Sequence, residues 1–491
     1  MVDTNEKITA RPLALDWSAL TDRAAAPDWF RDAKLGIYFH WGLYSVPAFH
    51  DEWYPRWMFY EGHKAHEHHV ATYGDPKEFG YHDFAPMFTA EHFDPEEWAA
   101  LFKKAGARFA GPCAEHHDGF SMWASKVNQW NAGAMGPCRD ITGELAAAIR
   151  KRDMRFITTF HHARNLQRRE PEYQPYPHNK YCWDSHYPPV EGMPTTSDDP
   201  KLRALYGNMP EQEFLVRWQE KLREVIDGYQ PDMIWFDGWL RLIPEKDRLE
   251  FATTYLDRAR AWGRDVMIVS KYEEFPDEVG LLDLEKGRMN KLTDTPWLTD
   301  DTISKGSWCY TRDLDVKTAR QVLHVLIDIV SKNGQLLLNL SPMADGTIPE
   351  NQREVLTGIG DWLGKHGEAV YDTRPWLVFG EGPTRLKRGG GFTHKDSGYL
   401  EYTPQDVRFT QSRDGATVYA TLLGRPDAGD TISISAFGKE GAGGKTEVRE
   451  VALVGAPDKV EWEQTESGLT ITTPPCALDE TAVAFKIGVA G

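Results

Sequence analysis

An alternation of short β-type runs with amphipathic helices between about residues 34 and 369 constrains the fold of this chain most. The runs at 34–39, 155–160 and 232–236 are apolar and rich in strand-forming residues. Each is followed along the chain by a segment in which apolar residues recur at helical spacing. Repeated strand–helix units imply parallel strands. This many units predicts an α/β fold, a (β/α)8-like barrel of the TIM type.

Local signals give the limits of the other elements. A helix begins after Asp94, because Pro95 suits the first helical position and Glu97 completes a capping pattern. The later helices are predicted at 140–152, 211–226, 245–262, 316–330 and 349–366. The other strands are predicted at 107–115, 265–270, 280–284 and 335–340.

The pattern changes after Trp376. A glycine-rich stretch at 380–391 precedes short alternating runs between residues 407 and 487. The turn dipeptides Asp414-Gly415 and Ser467-Gly468 separate some of these runs. Such runs predict an antiparallel β-sandwich. We therefore expect two domains, a barrel at 1–376 and a C-terminal β-sandwich at 377–491.

The negative net charge of the chain argues against some classes of binding partner. With 56 basic and 74 acidic residues, the formal net charge is −18 at pH 7, whereas nucleic acids and anionic membranes bind basic surfaces. No apolar run approaches the roughly 18 residues of a membrane span. We expect no nucleic-acid partner and no membrane partner, and the sequence leaves open whether the chain forms a homo-oligomer.

Cysteine use and the N-terminus bear on metal binding and location. The five cysteines are scattered and form no CxxC pair, which is untypical of a disulfide framework. His63, His66, His68 and His69 do not match a closed zinc pattern, so no metal site is predicted. Residues 1–26 lack a secretory signal pattern. The chain as it stands is expected in the cytoplasm, or in the periplasm or outside the cell if a signal was removed.

Polar side chains follow the predicted barrel strands at the points where the strands end. They are His40, His116, His117, His161, Asp237, Lys271 and Glu285. The carboxyl ends of barrel strands meet at one face, and active sites occupy that face. We therefore expect these residues to converge on one site.

Asp237 is the candidate for covalent chemistry. It follows the hydrophobic run Ile234-Trp235-Phe236 and precedes Gly238, so the strand can hold its carboxylate at the barrel mouth. A retaining glycosidase needs one carboxylate to attack the anomeric carbon. It needs a second carboxyl roughly 5 Å away to protonate the leaving oxygen.

Several separated motifs resemble those of glycoside hydrolase family 29, the α-L-fucosidases. They are WFRDAKLGIYFHWG at 29–42, EWY at 52–54, HHDGF at 116–120, WFDG at 235–238, NGQLLLN at 333–339, DGTIP at 345–349 and YDTRPW at 371–376. The resemblance covers about residues 28 to 376. It implies a retaining exo-glycosidase that hydrolyses terminal α-L-fucosides through a fucosyl intermediate on Asp237, with no cofactor.

The resemblance also implies which residues bind the sugar. His40, Glu52, Trp53, His116 and His117 are implied to line a fucose pocket. This agrees with their chemistry, because His and Glu suit the sugar hydroxyls and Trp suits the ring face and methyl group. Lys271 falls where many relatives carry Arg, and Trp308 matches an aromatic residue at the pocket edge. We add His161, which follows a strand, and Trp235, which belongs to a matched motif.

The acid/base residue is predicted to be Glu285. Many relatives carry a Trp-Glu pair where this chain has Trp297-Leu298, so that Glu is missing here. Glu285 follows a predicted strand, in a segment comparable to the one that holds the acid/base Glu in other family members. The alternatives left open are Glu273, Glu274, Asp300 and Asp301. Burial and the charge of Asp237 should raise the pKa of the acid.

Three other functions remain open at this point. The same mechanism could act on α-L-galactosides, because pockets reject an added hydroxyl poorly, or on sulfated fucan ends. Because position 298 carries Leu and not Glu, a third hypothesis is that the chain is an inactive carbohydrate-binding relative. The expected partner is a fucosylated oligosaccharide or glycan, and specificity beyond the first sugar is expected in the long loops at 49–86 and 165–208.

Overall fold

Eight parallel strands form the sheet that organises the larger part of the molecule. The computed structural model describes residues 13–168, 185–393, 400–444, 446–456, 459–476 and 478–490. The barrel strands are β1 (Leu35–Phe39), β2 (Phe109–Glu115), β3 (Arg155–Phe160), β4 (Met233–Phe236), β5 (Met267–Ser270), β6 (Gly280–Leu282), β7 (Trp297–Thr302) and β8 (Gly334–Leu340). Their order is β6-β5-β4-β3-β2-β1-β8-β7, and a bridge between Asp283 and Leu298 joins the two edges. The predicted TIM-type barrel is therefore confirmed.

The described helices alternate with these strands along the chain or lie in the loops that connect them. They are α1 (Asp28–Ala33), α2 (Tyr54–Trp57), α3 (Lys64–Tyr73), α4 (Pro95–Lys104), α5 (Ile141–Arg150), α6 (Pro200–Tyr206), α7 (Glu211–Tyr229), α8 (Glu245–Trp262), α9 (Ala319–Ser331) and α10 (Glu350–His366). The Asp94 carboxylate accepts hydrogen bonds from the N–H groups of Glu96 and Glu97, as the capping pattern predicts. Among the described helices, none combines the length and hydrophobicity that a bilayer crossing requires.

Strand β7 was not predicted, and its composition explains why. Its segment, Trp-Leu-Thr-Asp-Asp-Thr, carries four polar residues, yet all six residues are buried. Asp300 accepts a hydrogen bond from the Tyr38 hydroxyl at 2.9 Å, and Asp301 pairs with Lys317 at 2.7 Å. Because these partners lie far away along the chain, nothing local in the sequence compensates the two charges.

The C-terminal part is an antiparallel β-sandwich, as predicted. Its strands are β9 (Arg374–Glu381), β10 (Val407–Gln411), β11 (Thr417–Leu422), β12 (Thr431–Ile434), β13 (Val448–Leu453), β14 (Glu461–Thr465), β15 (Gly468–Thr472) and β16 (Val483–Val489). A five-stranded sheet, β13-β16-β11-β10-β9, faces a three-stranded sheet, β12-β15-β14. Their shared core includes Trp376, which stacks on Phe437 with ring centroids 4.8 Å apart.

The hydrogen bonding of β9 bears on where the two domains divide. The boundary drawn after residue 376 falls inside β9, whose residues Arg374 and Pro375 already pair with β10. We propose that the C-terminal domain begins before Arg374, since hydrogen bonding to its sheet starts there.

A buried ion cluster joins the barrel to the sandwich. Asp328 on α9 accepts hydrogen bonds from Arg288 at 3.1 Å, from Lys332 at 2.7 Å and from Arg408 of β10 at 2.6 Å. These cations hold the pKa of Asp328 far below its usual range although burial alone would raise it. The loop that carries Arg288 is thereby fixed to the C-terminal domain.

Candidate active site

A cavity of about 200 Å³ opens at the carboxyl ends of the barrel strands. Drug-sized ligands occupy cavities of roughly 300–1,000 Å³, so this space suits a single sugar ring. Its lining residues are His40, Glu52, Trp53, His116, His117, His161, Asp237, Gly238, Trp239, Lys271, Tyr272, Glu285, Asp300, Trp308 and Phe392. Every residue predicted for the site is among them except Trp235.

The barrel explains this convergence. His40 follows β1, the pair His116 and His117 follows β2, and His161 follows β3. Asp237, Lys271 and Glu285 come after β4, β5 and β6 respectively. Neighbouring parallel strands in register end at the same height, so residues distant in sequence meet at one mouth.

Lys271 lies between the carboxylates of the site. Its Nζ is 2.7 Å from Asp237 Oδ1, 2.8 Å from Glu285 Oε2 and 3.6 Å from Asp300 Oδ2. Two of these oxygens thus lie within 2.8 Å of one nitrogen, and their separation cannot exceed twice that distance. Lys271 therefore holds Asp237 and Glu285 close together on one side of the cavity.

Asp237 is held in its ionised form. Burial alone would raise its pKa, but Lys271, His161 and His117 hold the pKa well below the usual range of an aspartate. His117 Nε2 lies 3.2 Å from Asp237 Oδ2, while its Nδ1 lies against the carbonyl oxygen of His161. A carbonyl only accepts hydrogen bonds, so that contact orients the His117 ring toward Asp237.

The pKa of Glu285 is shifted in the opposite direction, upward. Burial raises its pKa, and the charges of Asp300 and Asp237 raise it further, while Lys271 opposes them. Its side chain keeps 21% of its surface exposed, compared with 9% for Asp237. The site therefore contains one carboxylate that stays ionised and a second that retains its proton more readily.

The other acid/base candidates lie elsewhere or have other contacts. Glu273 is exposed and lies outside the cavity, and the Glu274 carboxylate accepts a hydrogen bond from the backbone N–H of Tyr272 at 3.0 Å. Asp301 pairs with Lys317 beneath a neighbouring cavity. Asp300 lines the cavity but is only 1% exposed. This arrangement favours Glu285.

The remaining polar groups suit hydroxyl recognition. Burial lowers the pKa of His40 to about 3, so its ring is neutral at pH 7, and its Nδ1 lies 2.8 Å from Asn339 Oδ1. Burial and the charge of Asp51 raise the pKa of Glu52 to about 8. Glu52 Oε2 accepts a hydrogen bond from the backbone N–H of Trp308 at 3.1 Å. Such groups can donate to and accept from sugar hydroxyls without adding net charge.

Trp235 does not reach the cavity. Its side chain is fully buried in the barrel interior with Tyr38, Met267 and Leu298. The Lys271 Nζ lies 5.1 Å above its ring. We propose that Trp235 supports Lys271 from below and does not contact substrate.

Three aromatic lining residues were not predicted. Tyr272 directly follows Lys271, so its position after a strand could have suggested it. Trp239 lies two residues after Asp237, and the Arg164 guanidinium stacks on its ring at 4.0 Å. Phe392 lies beyond β9 and directly after the glycine-rich stretch, where no sequence signal pointed to the site. Part of the predicted specificity loop, residues 169–184, lies outside the described residues.

One group of possible metal ligands lies together among the described residues. His40, Cys113 and His161 place ligand atoms within 4.8 Å of one another. His40 and His161 also line the cavity, so an ion there would compete with a sugar. The histidines at 63–69 belong to α3 and its N-cap, and His66 and His69 hydrogen-bond to the carbonyl oxygens of Met58 and Phe79.

Comparisons with known proteins agree over nearly the whole chain. The family model described as alpha-L-fucosidase matches residues 1–368, and that of the alpha-L-fucosidase C-terminal domain matches residues 401–488. The tissue alpha-L-fucosidase of Rattus norvegicus is 30% identical over 94% of this chain and 88% of its own. The Thermotoga maritima alpha-fucosidase structure in complex with fucose is 28% identical, with a TM-score of 0.73, and the alignment covers 97% of this chain and all of that one. The same Thermotoga enzyme in complex with a mechanism-based inhibitor has a TM-score of 0.74 at 28% identity and the same coverage.

Proposed function

Because the chain belongs to the α-L-fucosidase family of glycoside hydrolases, we propose that it hydrolyses terminal α-L-fucosides with retention of anomeric configuration. In this proposal Asp237 is the nucleophile and Glu285 is the general acid and base. The observation that carries it is the Lys271 bridge, which holds both carboxylates within 2.8 Å of one ammonium. Carboxyl groups in retaining glycosidases lie about 5–5.5 Å apart, whereas inverting enzymes need about 6.5–9.5 Å to admit a water.

The first chemical step uses the two different ionisation states. Asp237 attacks the anomeric carbon, and the bond from that carbon to the leaving oxygen breaks. Glu285 gives its proton to that oxygen, so the leaving sugar departs as a neutral alcohol. Lys271 keeps Asp237 ionised up to this moment.

The second step uses the same groups in reverse. Once Asp237 is esterified it no longer carries the charge that raises the pKa of Glu285. Glu285 is then ionised more readily and can remove a proton from the attacking water. The ester breaks, fucose leaves in the α configuration, and both carboxyl groups return to their starting states.

The pocket supports recognition of a small neutral sugar. His40, His116 and His161 are buried, and burial lowers the pKa of each, so they present neutral rings to the hydroxyls. Trp53 and Trp308 supply flat apolar surface for the ring face and the methyl group. The complexes of Thermotoga maritima alpha-fucosidase with fucose and with a mechanism-based inhibitor support the same assignment.

The presence of Leu298 where many relatives carry Glu does not support the hypothesis of an inactive relative. Leu298 has no exposed surface and packs in the barrel interior away from the cavity. Glu285 lines the cavity beside Asp237 instead. We therefore take the fucosidase reaction as the function of this site.

The test follows the anomer of fucose that is released first. Proton NMR during hydrolysis of an aryl α-L-fucoside should show α-L-fucose first, with the β anomer growing only as mutarotation proceeds. Two successive displacements on one carbon give this result. Release of β-L-fucose first would refute the covalent intermediate, and a lack of hydrolysis would refute the activity.

Replacing Lys271 should move the pH profile in one direction. Its cation lowers the pKa of both carboxyl groups, so Lys271→Met should raise both. Asp237 must be ionised, and therefore the acidic limb of kcat/KM moves to higher pH. Glu285 must be protonated, and therefore the alkaline limb also moves up, each by about 1–3 units. Lys271→Arg, which keeps the charge, should leave both limbs near their original positions. Movement of the limbs in opposite directions would contradict the shared contact.

A further inference from the structure

Two exposed aromatic side chains border the sugar cavity. Tyr272 is 58% exposed and Phe392 is 40% exposed, although both are large and apolar. The other large hydrophobic side chains that the described residues leave exposed are aliphatic: Leu15, Val70, Met87, Val216, Leu282 and Leu377. Exposed apolar surface at a cavity mouth indicates a contact that forms on binding.

A second cavity lies beside the first on the side of the acid. It has a volume of about 490 Å³, and it shares Glu52, Glu285, Trp308 and Phe392 with the sugar cavity. The leaving oxygen must approach Glu285 to receive its proton. The group attached to that oxygen is therefore directed into the second cavity.

The position of Phe392 is fixed by the loop that carries Glu285. The N–H of Phe392 donates to the carbonyl oxygen of Glu285 at 2.6 Å. Arg288 and Gly390 exchange backbone hydrogen bonds at 3.2 and 3.1 Å. A Cβ at Gly287 would lie 2.2 Å from the Gly390 oxygen, so this close approach requires glycine.

The same contacts connect the two domains. Residues 390–392 follow β9, the first strand of the C-terminal sandwich, whereas Glu285 follows the barrel strand β6. Phe392 adopts a φ of +56°, a conformation that bulky residues rarely take. The hydrogen bonds to the barrel loop hold the backbone there and keep the ring at the junction of the two cavities.

From this geometry we infer that the second cavity is the binding site for the leaving-group sugar, with Phe392 as its stacking platform. The inference rests on the proposed function. The occupant is a neutral pyranose, because the cavity carries groups of both signs, such as Asp51 and Lys286, and its hydroxyl-binding groups include Ser304 and Ser307. The C-terminal domain thus supplies a specificity-determining residue to the barrel site.

An assay of fucosyl transfer to a sugar acceptor separates the effect of the Phe392 contact from the effect of Glu285. With α-L-fucosyl fluoride as donor, fluoride leaves without protonation and Asp237 becomes esterified. The ester then breaks either to water or to a hydroxyl of added lactose, and in both cases Glu285 takes the proton. Damage to Glu285 slows both routes alike, whereas loss of the acceptor site slows only the route to lactose.

Phe392→Ala should lower the ratio of transfer product to free fucose by about tenfold, the effect of losing one aromatic contact. The ratio of kcat/KM for the best fucosyl disaccharide to kcat/KM for the fluoride should fall to a similar extent. Phe392→Tyr, which keeps the aromatic ring, should give both ratios close to those of the wild-type protein. Leu377→Ala, which removes an exposed apolar side chain from β9 outside both cavities, should leave them unchanged.

An unchanged transfer ratio in Phe392→Ala, or a failure of Phe392→Tyr to restore it, would overturn the inference. So would the absence of any lactose product with the wild-type protein at saturating acceptor. The proposed function fails separately, because in that case the wild-type protein would release no fucose from the fluoride.

Discussion

Asp237→Gly should lower kcat/KM for an aryl α-L-fucoside by on the order of 10⁴-fold or more, because the covalent route is lost. The Asp237 carboxylate lies 2.7 Å from Lys271 and 3.2 Å from His117, and glycine leaves that space empty. Added azide should enter the space and attack the anomeric carbon from the side on which Asp237 lies. The product should be β-L-fucosyl azide, inverted relative to the substrate, and NMR identifies it.

Asp237→Asn is the matched variant for this experiment. It keeps the size of the side chain, so it should be as inactive as Asp237→Gly but give azide no room. Thermal unfolding of both variants should show that the fold is intact. If azide gives no rescue of Asp237→Gly, or if the rescued product is the α azide, Asp237 is not the nucleophile.

Much of the barrel could be predicted from the sequence, because its strands are short apolar runs and its helices carry local caps. The limits of β3 and α8 agree with their predicted ranges, since β3 is a short, almost fully buried run and α8 is bounded by Pro244 and Gly263. Strand β7 was missed because Asp300 and Asp301 are compensated by Tyr38 and Lys317, which no local pattern reveals.

The site was predictable to the extent that it depends on strand ends. His40, His117 and Asp237 each follow a strand, and the barrel geometry alone brings such residues together. Trp235 shows the limit of this argument. It shares a face of β4 with Asp237, because side chains two residues apart point the same way, but it lies deeper in the barrel, where it packs below the cavity.

Residues that reach the site from outside the barrel strands could not be predicted in this way. Phe392 lies 107 residues after Glu285 by their sequence numbers (392 − 285), beyond the first strand of another domain. Its place depends on backbone hydrogen bonds to Glu285 and on the ion cluster around Asp328. Contacts of this kind follow from domain docking, for which a single sequence carries no periodic signal.

Glu285→Ala should affect substrates according to their leaving groups. A disaccharide needs its leaving oxygen protonated, so its kcat/KM should fall by roughly 10²–10⁴-fold. A dinitrophenyl fucoside needs little protonation, so its first step should stay fast. The second step still lacks a base, and the intermediate on Asp237 should accumulate and give a burst of dinitrophenol.

Azide then distinguishes Glu285 from the other carboxyl groups. In Glu285→Ala it should attack the accumulated intermediate from the face opposite Asp237, and two inversions should give α-L-fucosyl azide. The burst should turn into steady turnover, and the alkaline limb of the pH profile should disappear because the group that must stay protonated is gone. Glu274→Ala serves as the control, since Glu274 is a buried carboxyl group three residues after Lys271 in sequence but lies outside the cavity. It should keep both the limb and the leaving-group dependence of the wild type. An equal loss for disaccharide and dinitrophenyl fucoside in Glu285→Ala would mean that Glu285 only shapes the pocket. The acid would then be one of the other carboxyl groups that line the cavity, Asp300 or Glu52.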